Sequence, residues 1–292
     1  MRTRFFTLVM LLSALGLFTQ CRMKSDTIVV NSDVPKIEIT KTDSIAEKKE
    51  STAIAEKKDS TAITEKKDSA AAIANEQAEA AVPQGEPHKG FVYVKNIIPD
   101  LIEDLRYFTT NNFMGMKVDG YEANYAILTK EAATALSKAA DELREKGYVI
   151  KIYDAYRPQR AVDNFVRWAK TDDQRNKQDY YPDFAKESLF PTYIARKSGH
   201  TKGSTIDMTI CYKDTKEEVD MGGHFDYFGP PSHPSFIGKY SGGEVTQEHK
   251  KNRMMLRDVM VRHGFKPYDS EWWHFTLKNE PYPTTYFEFP VK

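Results

Sequence analysis

The chain predicts an α+β fold, a mostly antiparallel sheet with flanking helices. Helix-like and strand-like segments are mixed along it without regular βαβ alternation. Nearly every aromatic residue lies from Phe91 onward, which confines the apolar core to a C-terminal domain of about 200 residues. Between Arg22 and Gly90 there is no Phe, Tyr or Trp. Such a stretch buries too little apolar surface to offset the entropy of ordering it.

Within the domain, Phe91 to Ile98 reads as an opening strand. Thr129 is a candidate N-cap for a helix running to Lys146. Leu136, Ala139, Ala140 and Leu143 lie on one face of it, and Gly147 is its stop. Tyr148 to Tyr153 is rich in β-formers and reads as a strand. After the Arg157-Pro158 turn, Gln159 to Lys170 predicts a second helix with Val162, Phe165, Val166 and Ala169 inward. Ser204 to Ile210 predicts a strand, Glu244 to His263 a helix ended by Gly264, and Trp272 to Leu277 a final strand.

Upstream, the pattern is that of an exported, tethered protein. Arg2 and Arg4 precede an apolar run from Phe5 to Phe18, shorter than the ~20 residues of a membrane span and typical of a signal sequence. Cys21 follows directly, as in a lipoprotein signal whose Cys becomes the acylated N-terminus, although Gln20 departs from the usual small residue. Residues 43 to 69 hold a nine-residue repeat, DSIAEKKES, TAIAEKKDS, TAITEKKDS. Nine residues make two and a half helical turns, so Ile45, Ile54 and Ile63 would alternate between faces and form no coiled-coil stripe. The organisation expected is a signal over 1–21, a charged tether over 22–89 and a catalytic domain over 90–292. The expected location is the cell envelope, with the membrane reached through lipid at Cys21. A formal net charge of zero argues against a nucleic-acid partner. Cys211 is the only other cysteine, so the domain closes no disulfide and builds no thiolate metal site; it reads as a small core residue.

Of seven histidines, His88 lies at the end of the tether, while His249 and His263 lie on the last long helix. A solvated face suits His249, and the final helical turn suits His263 as a cation at the negative end of the dipole. His224 and His233 sit in a Gly/Pro-rich loop. His200 differs, because Asp207 follows it and a turn at Lys202-Gly203 lets the two converge; a straight strand would hold them ~20 Å apart. Alone, that pair is a weak metal signal. The segment Glu271-Trp272-Trp273-His274 adds an imidazole and a carboxylate three residues apart. Two His and one carboxylate with an open fourth position is a catalytic zinc arrangement, and Glu271 is placed to act as the base. Arg157, in a turn fixed by Pro158, either pairs with a carboxylate or steadies the oxyanion of a tetrahedral intermediate.

Together the segments YDAYRPQRAV, SGHTKGSTIDMTI, DMGGHFDYF and SEWWHF resemble, in order, the D-alanyl-D-alanine dipeptidases, the VanX-type branch of the zinc D,D-peptidases. The resemblance spans roughly Phe91 to Pro290. It implies the hedgehog/D,D-peptidase-like α+β fold, one zinc ion per subunit and hydrolysis of D-Ala-D-Ala or a related D-dipeptide. By it, His200, Asp207 and His274 match the zinc ligands, Glu271 the base and Arg157 the arginine that steadies the transition state. Ser198 falls where the family contacts the substrate carboxylate, and Asp226 where it contacts the ammonium. Two other readings are separable by experiment. A D,D-carboxypeptidase trimming peptidoglycan stem peptides would cleave N-acylated chains, and a non-catalytic wall-binding lipoprotein would need no base beside its metal.

Overall fold

A computed structural model describes residues 81–292; the signal, Cys21 and the nine-residue repeat lie outside the described residues. Five strands form the central sheet: β2 (Ile102–Glu103), β4 (Tyr148–Asp154), β5 (Thr205–Tyr212), β8 (Phe265–Tyr268) and β9 (Glu271–Leu277). Their order is β2-β4-β5-β9-β8. Only β2 and β4 run parallel; every other pairing is antiparallel, so the expected α+β class holds. Two small antiparallel pairs flank the sheet: β1 (Phe91–Tyr93) with β3 (Ile127–Thr129), and β6 (Gly238–Tyr240) with β7 (Gly243–Val245).

Helix α1 (Lys130–Glu145) starts where the sequence predicts. Thr129 Oγ1 accepts the Ala132 N–H at 3.3 Å, and Gly147 takes a φ of +87° beyond the last turn. Its apolar stripe, Leu136, Ala139, Ala140 and Leu143, is buried against β4 and against α4 (Gln247–Arg262). Helix α2 (Gln159–Ala169) is rotated from its expected setting. Ala161 and Trp168 are buried with Val162, Phe165 and Ala169, whereas Val166 is only half-buried. Trp168 causes the rotation by packing edge-on against Phe113 and Tyr181. A single-turn helix, α3 (Lys177–Tyr180), follows it.

Two boundaries differ from the sequence expectation. The opening strand stops at Tyr93, because its partner β3 begins at Ile127 and offers no further ladder. The chain turns there in a 3₁₀ helix over Val94–Asn96 and drops Ile98 and Leu101 into the core. Helix α4 starts three residues late because residues 243–245 form β7. Thr246 caps it, accepting from the His249 N–H, while His249 Nδ1 accepts the Thr246 N–H at 3.1 Å. The ring's other nitrogen lies 3.2 Å from Asp220, so His249 is a half-buried capping group rather than a solvated one. His263 ends the same helix and bonds Glu142 at 2.9 Å. Cys211 is fully buried in β5. Ahead of β1, Val82 packs against the core and His88 stacks on Phe289 at 4.5 Å.

Candidate active site

Strand register builds the heart of the site. Asp207 on β5 sits opposite Asp154 on β4 and His274 on β9, so three adjacent strands place three ionisable side chains in one row. On both flanks of Asp207 the strand alternates with Ile206 and Met208, which are fully buried. His200 reaches the row from a 3₁₀ turn over Gly199–Lys202, capped by Ser198 Oγ, which accepts the His200 N–H at 3.2 Å. The turn closes at Gly203, whose φ of +82° favours glycine and where a Cβ would run into the Phe91 ring. Both conditions are needed to bring His200 back over Asp207.

Three side chains meet there. His200 Nε2 lies 3.2 Å from Asp207 Oδ2, His274 Nδ1 lies 3.0 Å from Asp207 Oδ1, and the two ring nitrogens are 3.4 Å apart. Donors held ~2.0–2.1 Å from a four-coordinate zinc stand roughly 3.3 Å from one another, so the spacing fits that ion. The protonation pattern fits as well. His200 Nδ1 donates to the Ala155 carbonyl at 2.8 Å, which leaves Nε2 bare and facing inward. Burial keeps His274 neutral, its pKa below the usual imidazole value despite the nearby Asp207. Burial opposes ionisation of Asp207, yet a proton carried toward it by either neighbouring histidine holds its carboxyl below the ordinary range. Although His274 is close, Asp207 Oδ1 receives no aligned hydrogen bond. A buried acceptor facing other acceptors needs a cation.

Around this triad stand the groups that would act on a substrate. Glu271 Oε2 is 3.4 Å from His274 Nδ1 and almost fully buried. Burial, with Asp207 and Asp226 nearby, pushes the Glu271 carboxyl well above its usual value. Arg157 is held from several sides. Its Nε donates to Asp154 Oδ2 at 2.9 Å, one of its terminal nitrogens is 3.6 Å from Asp207, and its guanidinium lies over the rings of Tyr107 and Phe165. Burial alone would weaken its charge, but Tyr107 and Asp154 keep it firmly protonated. Asp226 accepts the Tyr107 hydroxyl at 2.8 Å and is pushed up to about 8 by burial and the neighbouring Asp207. Its backbone φ of +62° is unusual for a non-glycine residue.

All seven residues singled out in the sequence, Glu271, Arg157, Ser198, Asp226, His200, Asp207 and His274, line one cavity of about 180 Å³. Thr192, Tyr193 and Tyr268 are also in its wall, with Tyr268 donating to the Thr192 carbonyl at 2.9 Å. A larger cavity of about 530 Å³ lies elsewhere and holds none of them. Asp154 belongs to the YDAYRPQRAV segment, where its position three residues before Arg157 was the available signal of its part in the site. Tyr107 carried no such signal, standing in a short 3₁₀ turn over Arg106–Phe108, far along the chain from every motif. Neither His224 nor His233 lines the metal cavity.

A sequence profile described as the D-ala-D-ala dipeptidase family matches residues 87–292. The chain belongs to this family. A D-alanyl-D-alanine dipeptidase of Enterococcus faecium is 40% identical over 205 residues, covering 70% of this chain and 98% of that protein. One from Streptomyces coelicolor is 39% identical over 203 residues, covering 69% and 98%. A solved structure of the vancomycin-resistance D,D-pentapeptidase VanY in complex with Zn(II) aligns at 15% identity and a TM-score of 0.33, covering 55% of this chain and 77% of that one. Dipeptidase similarity thus begins at residue 87 and takes in every residue of the cavity. The resemblance read from the motifs is met.

Proposed function

We propose that this dipeptidase-family chain hydrolyses free D-alanyl-D-alanine, or a closely related D-dipeptide, with one zinc ion held by His200 Nε2, His274 Nδ1 and Asp207. The observation that carries the reading is convergence. Three metal-suited acceptors, a buried carboxyl, a fixed guanidinium and a second buried acid all face one small cavity. Bound zinc lowers the pKa of coordinated water to about 7 and polarises the scissile carbonyl.

The chain's own groups supply the rest. Glu271 accepts the proton of the attacking water and returns it to the leaving amine. Its buried position keeps its basicity high enough for that exchange. Arg157, immobilised by Asp154 and two aromatic rings, presents a fixed charge to the carbonyl oxygen as negative charge develops there. Asp226 meets the substrate ammonium, an event that converts a carboxyl disfavoured by burial into a paired carboxylate. The Ser198 hydroxyl, at the start of the His200 turn, meets the substrate carboxylate. A free dipeptide carries both charged ends, and this cavity has a polar group for each.

Metal analysis together with hydrolysis of free and N-acetylated D-Ala-D-Ala tests the reading. One zinc per chain and strong preference for the free dipeptide are expected. Faster cleavage of the acetylated substrate would instead assign a carboxypeptidase, and bound zinc without hydrolysis a binding protein. The proposal extends to location, a lipid-anchored envelope enzyme, on the strength of Arg2, Arg4, the apolar run and Cys21. Labelled fatty acid should enter the intact protein and not its Cys21→Ser variant.

A further inference from the structure

We infer that His224 is a positioning residue for dipeptide recognition, fixing the peptide plane that leads into Asp226. The inference rests on the reading that Asp226 takes the substrate ammonium. His224 is exposed, yet both ring nitrogens are engaged: Nδ1 is 2.8 Å from the Phe225 carbonyl oxygen, and Nε2 is 2.8 Å from that of Asp179 on α3. An imidazolium donates to both oxygens at once and a neutral ring to one of them. Tyr180 packs edge-on against the ring at 4.9 Å. The ring therefore ties the loop over residues 224–228 to the short helix beside it.

What the tie controls follows from backbone geometry. The Phe225 carbonyl belongs to the planar peptide unit whose nitrogen is that of Asp226. Holding the oxygen orients the plane from which φ of Asp226 is measured, and that φ is +62°. A non-glycine residue stays in this region only when its surroundings over-determine it. Tyr107 fixes the side chain at 2.8 Å, and the Phe228 N–H, donating to the Tyr180 carbonyl at 2.7 Å, fixes the far end of the loop. His224 supplies the constraint on the near end. The buried Phe225 ring, packed on Tyr153 and Trp273, anchors that residue's side chain. The bond from His224 is the one that holds its carbonyl oxygen, and losing it should let the peptide plane, and with it the Asp226 carboxylate, reorient.

The test is a double-mutant cycle on the zinc-loaded enzyme, read as kcat and KM for D-Ala-D-Ala. His224→Phe keeps a packed ring without donors; His224→Gln keeps one donor. His224→Phe should raise KM about tenfold, equivalent to about 1.4 kcal/mol of binding, with kcat and zinc content unchanged. His224→Gln should recover much of that loss. In an Asp226→Asn background, His224→Phe should add nothing, because it acts through the missing carboxylate. An unchanged KM in His224→Phe, or a full additive loss in the double variant, overturns the inference. Should Asp226→Asn alone leave KM untouched, the ammonium reading itself fails, and this inference with it.

Discussion

The two walls of the cavity are built differently. On the metal side, Asp207 and His274 are cross-strand partners on β5 and β9, and Asp154 stands opposite Asp207 on β4. On the substrate side, Asp226 stands in a loop at positive φ, and Ser198 caps a single 3₁₀ turn. Sheet register sets the first wall, and a one-residue slip would turn both ligands to the opposite face. Individual hydrogen bonds set the second. Asp207 and His274 are thus mounted on the central sheet, while Asp226, and the turn that carries both Ser198 and His200, depend on a few named contacts.

That contrast predicts that substitutions on the metal side act on kcat and those on the loop side act on KM. Among substitutions, the largest effect should come from Glu271→Ala. Losing the base should lower kcat by roughly 10³-fold, within the 10²–10⁴ range of general acid–base catalysis. Zinc content should be unchanged, since the three ligands remain. A variant that keeps zinc and full activity would remove Glu271 from the mechanism. Metal removal tests the same wall without mutation. A chelator should abolish turnover and lower the thermal midpoint, because zinc binds the folded form and not the unfolded one. Added zinc should restore both.

Arg157→Ala should follow, with a loss of about 10²–10³ in kcat, the size expected for removing a fixed transition-state partner. Asp154→Asn probes how that partner is held. Asp154 takes the Arg157 Nε–H at 2.9 Å and the Tyr121 hydroxyl at 2.5 Å, and it lies 3.4 Å from His200 Nδ1. It does not line the cavity, yet it contacts both the Arg157 guanidinium and the His200 ring. A loss of roughly 10- to 100-fold is expected, with weaker zinc retention against a competing chelator. Loss of activity with zinc affinity intact would restrict Asp154 to the Arg157 side.

The same contrast explains which parts were legible in the sequence. The cluster of His200, Asp207 and His274 was readable because its members, and Glu271 beside them, come from two short motifs that run into segments of clear β pattern. Thr129 and Gly147 announced α1 in the same local way, through a cap and a left-handed stop. Asp226 was placed by family resemblance alone, and its geometry rests on Tyr107, which lies 119 residues away in the chain. No periodicity or spacing encodes such a contact. The early end of β1 was equally hidden, because it depends on where β3 begins. The rotation of α2 had the same origin, since Trp168 follows partners in two distant segments.

The smallest effect belongs to the loop wall, and it is a matter of pH. The proposed ammonium contact requires Asp226 as a carboxylate, and burial beside Asp207 raises its pKa to about 8. As pH falls through that value the carboxylate gains a proton and the attraction is lost, so KM should rise toward acid. Zinc beside Asp207 moves the midpoint downward but leaves the sign unchanged. Toward alkali the substrate loses its own charge, near the ~7.7–8.0 of an α-amino group, and KM should rise again. A plot of 1/KM against pH should therefore be bell-shaped. In Asp226→Asn neither limb has a charge pair to break, and the plot should be flat, with KM about tenfold above the wild-type minimum and kcat largely retained. If the variant kept the acid limb, another group would be titrating, and the ammonium site would have to be sought elsewhere on the cavity wall.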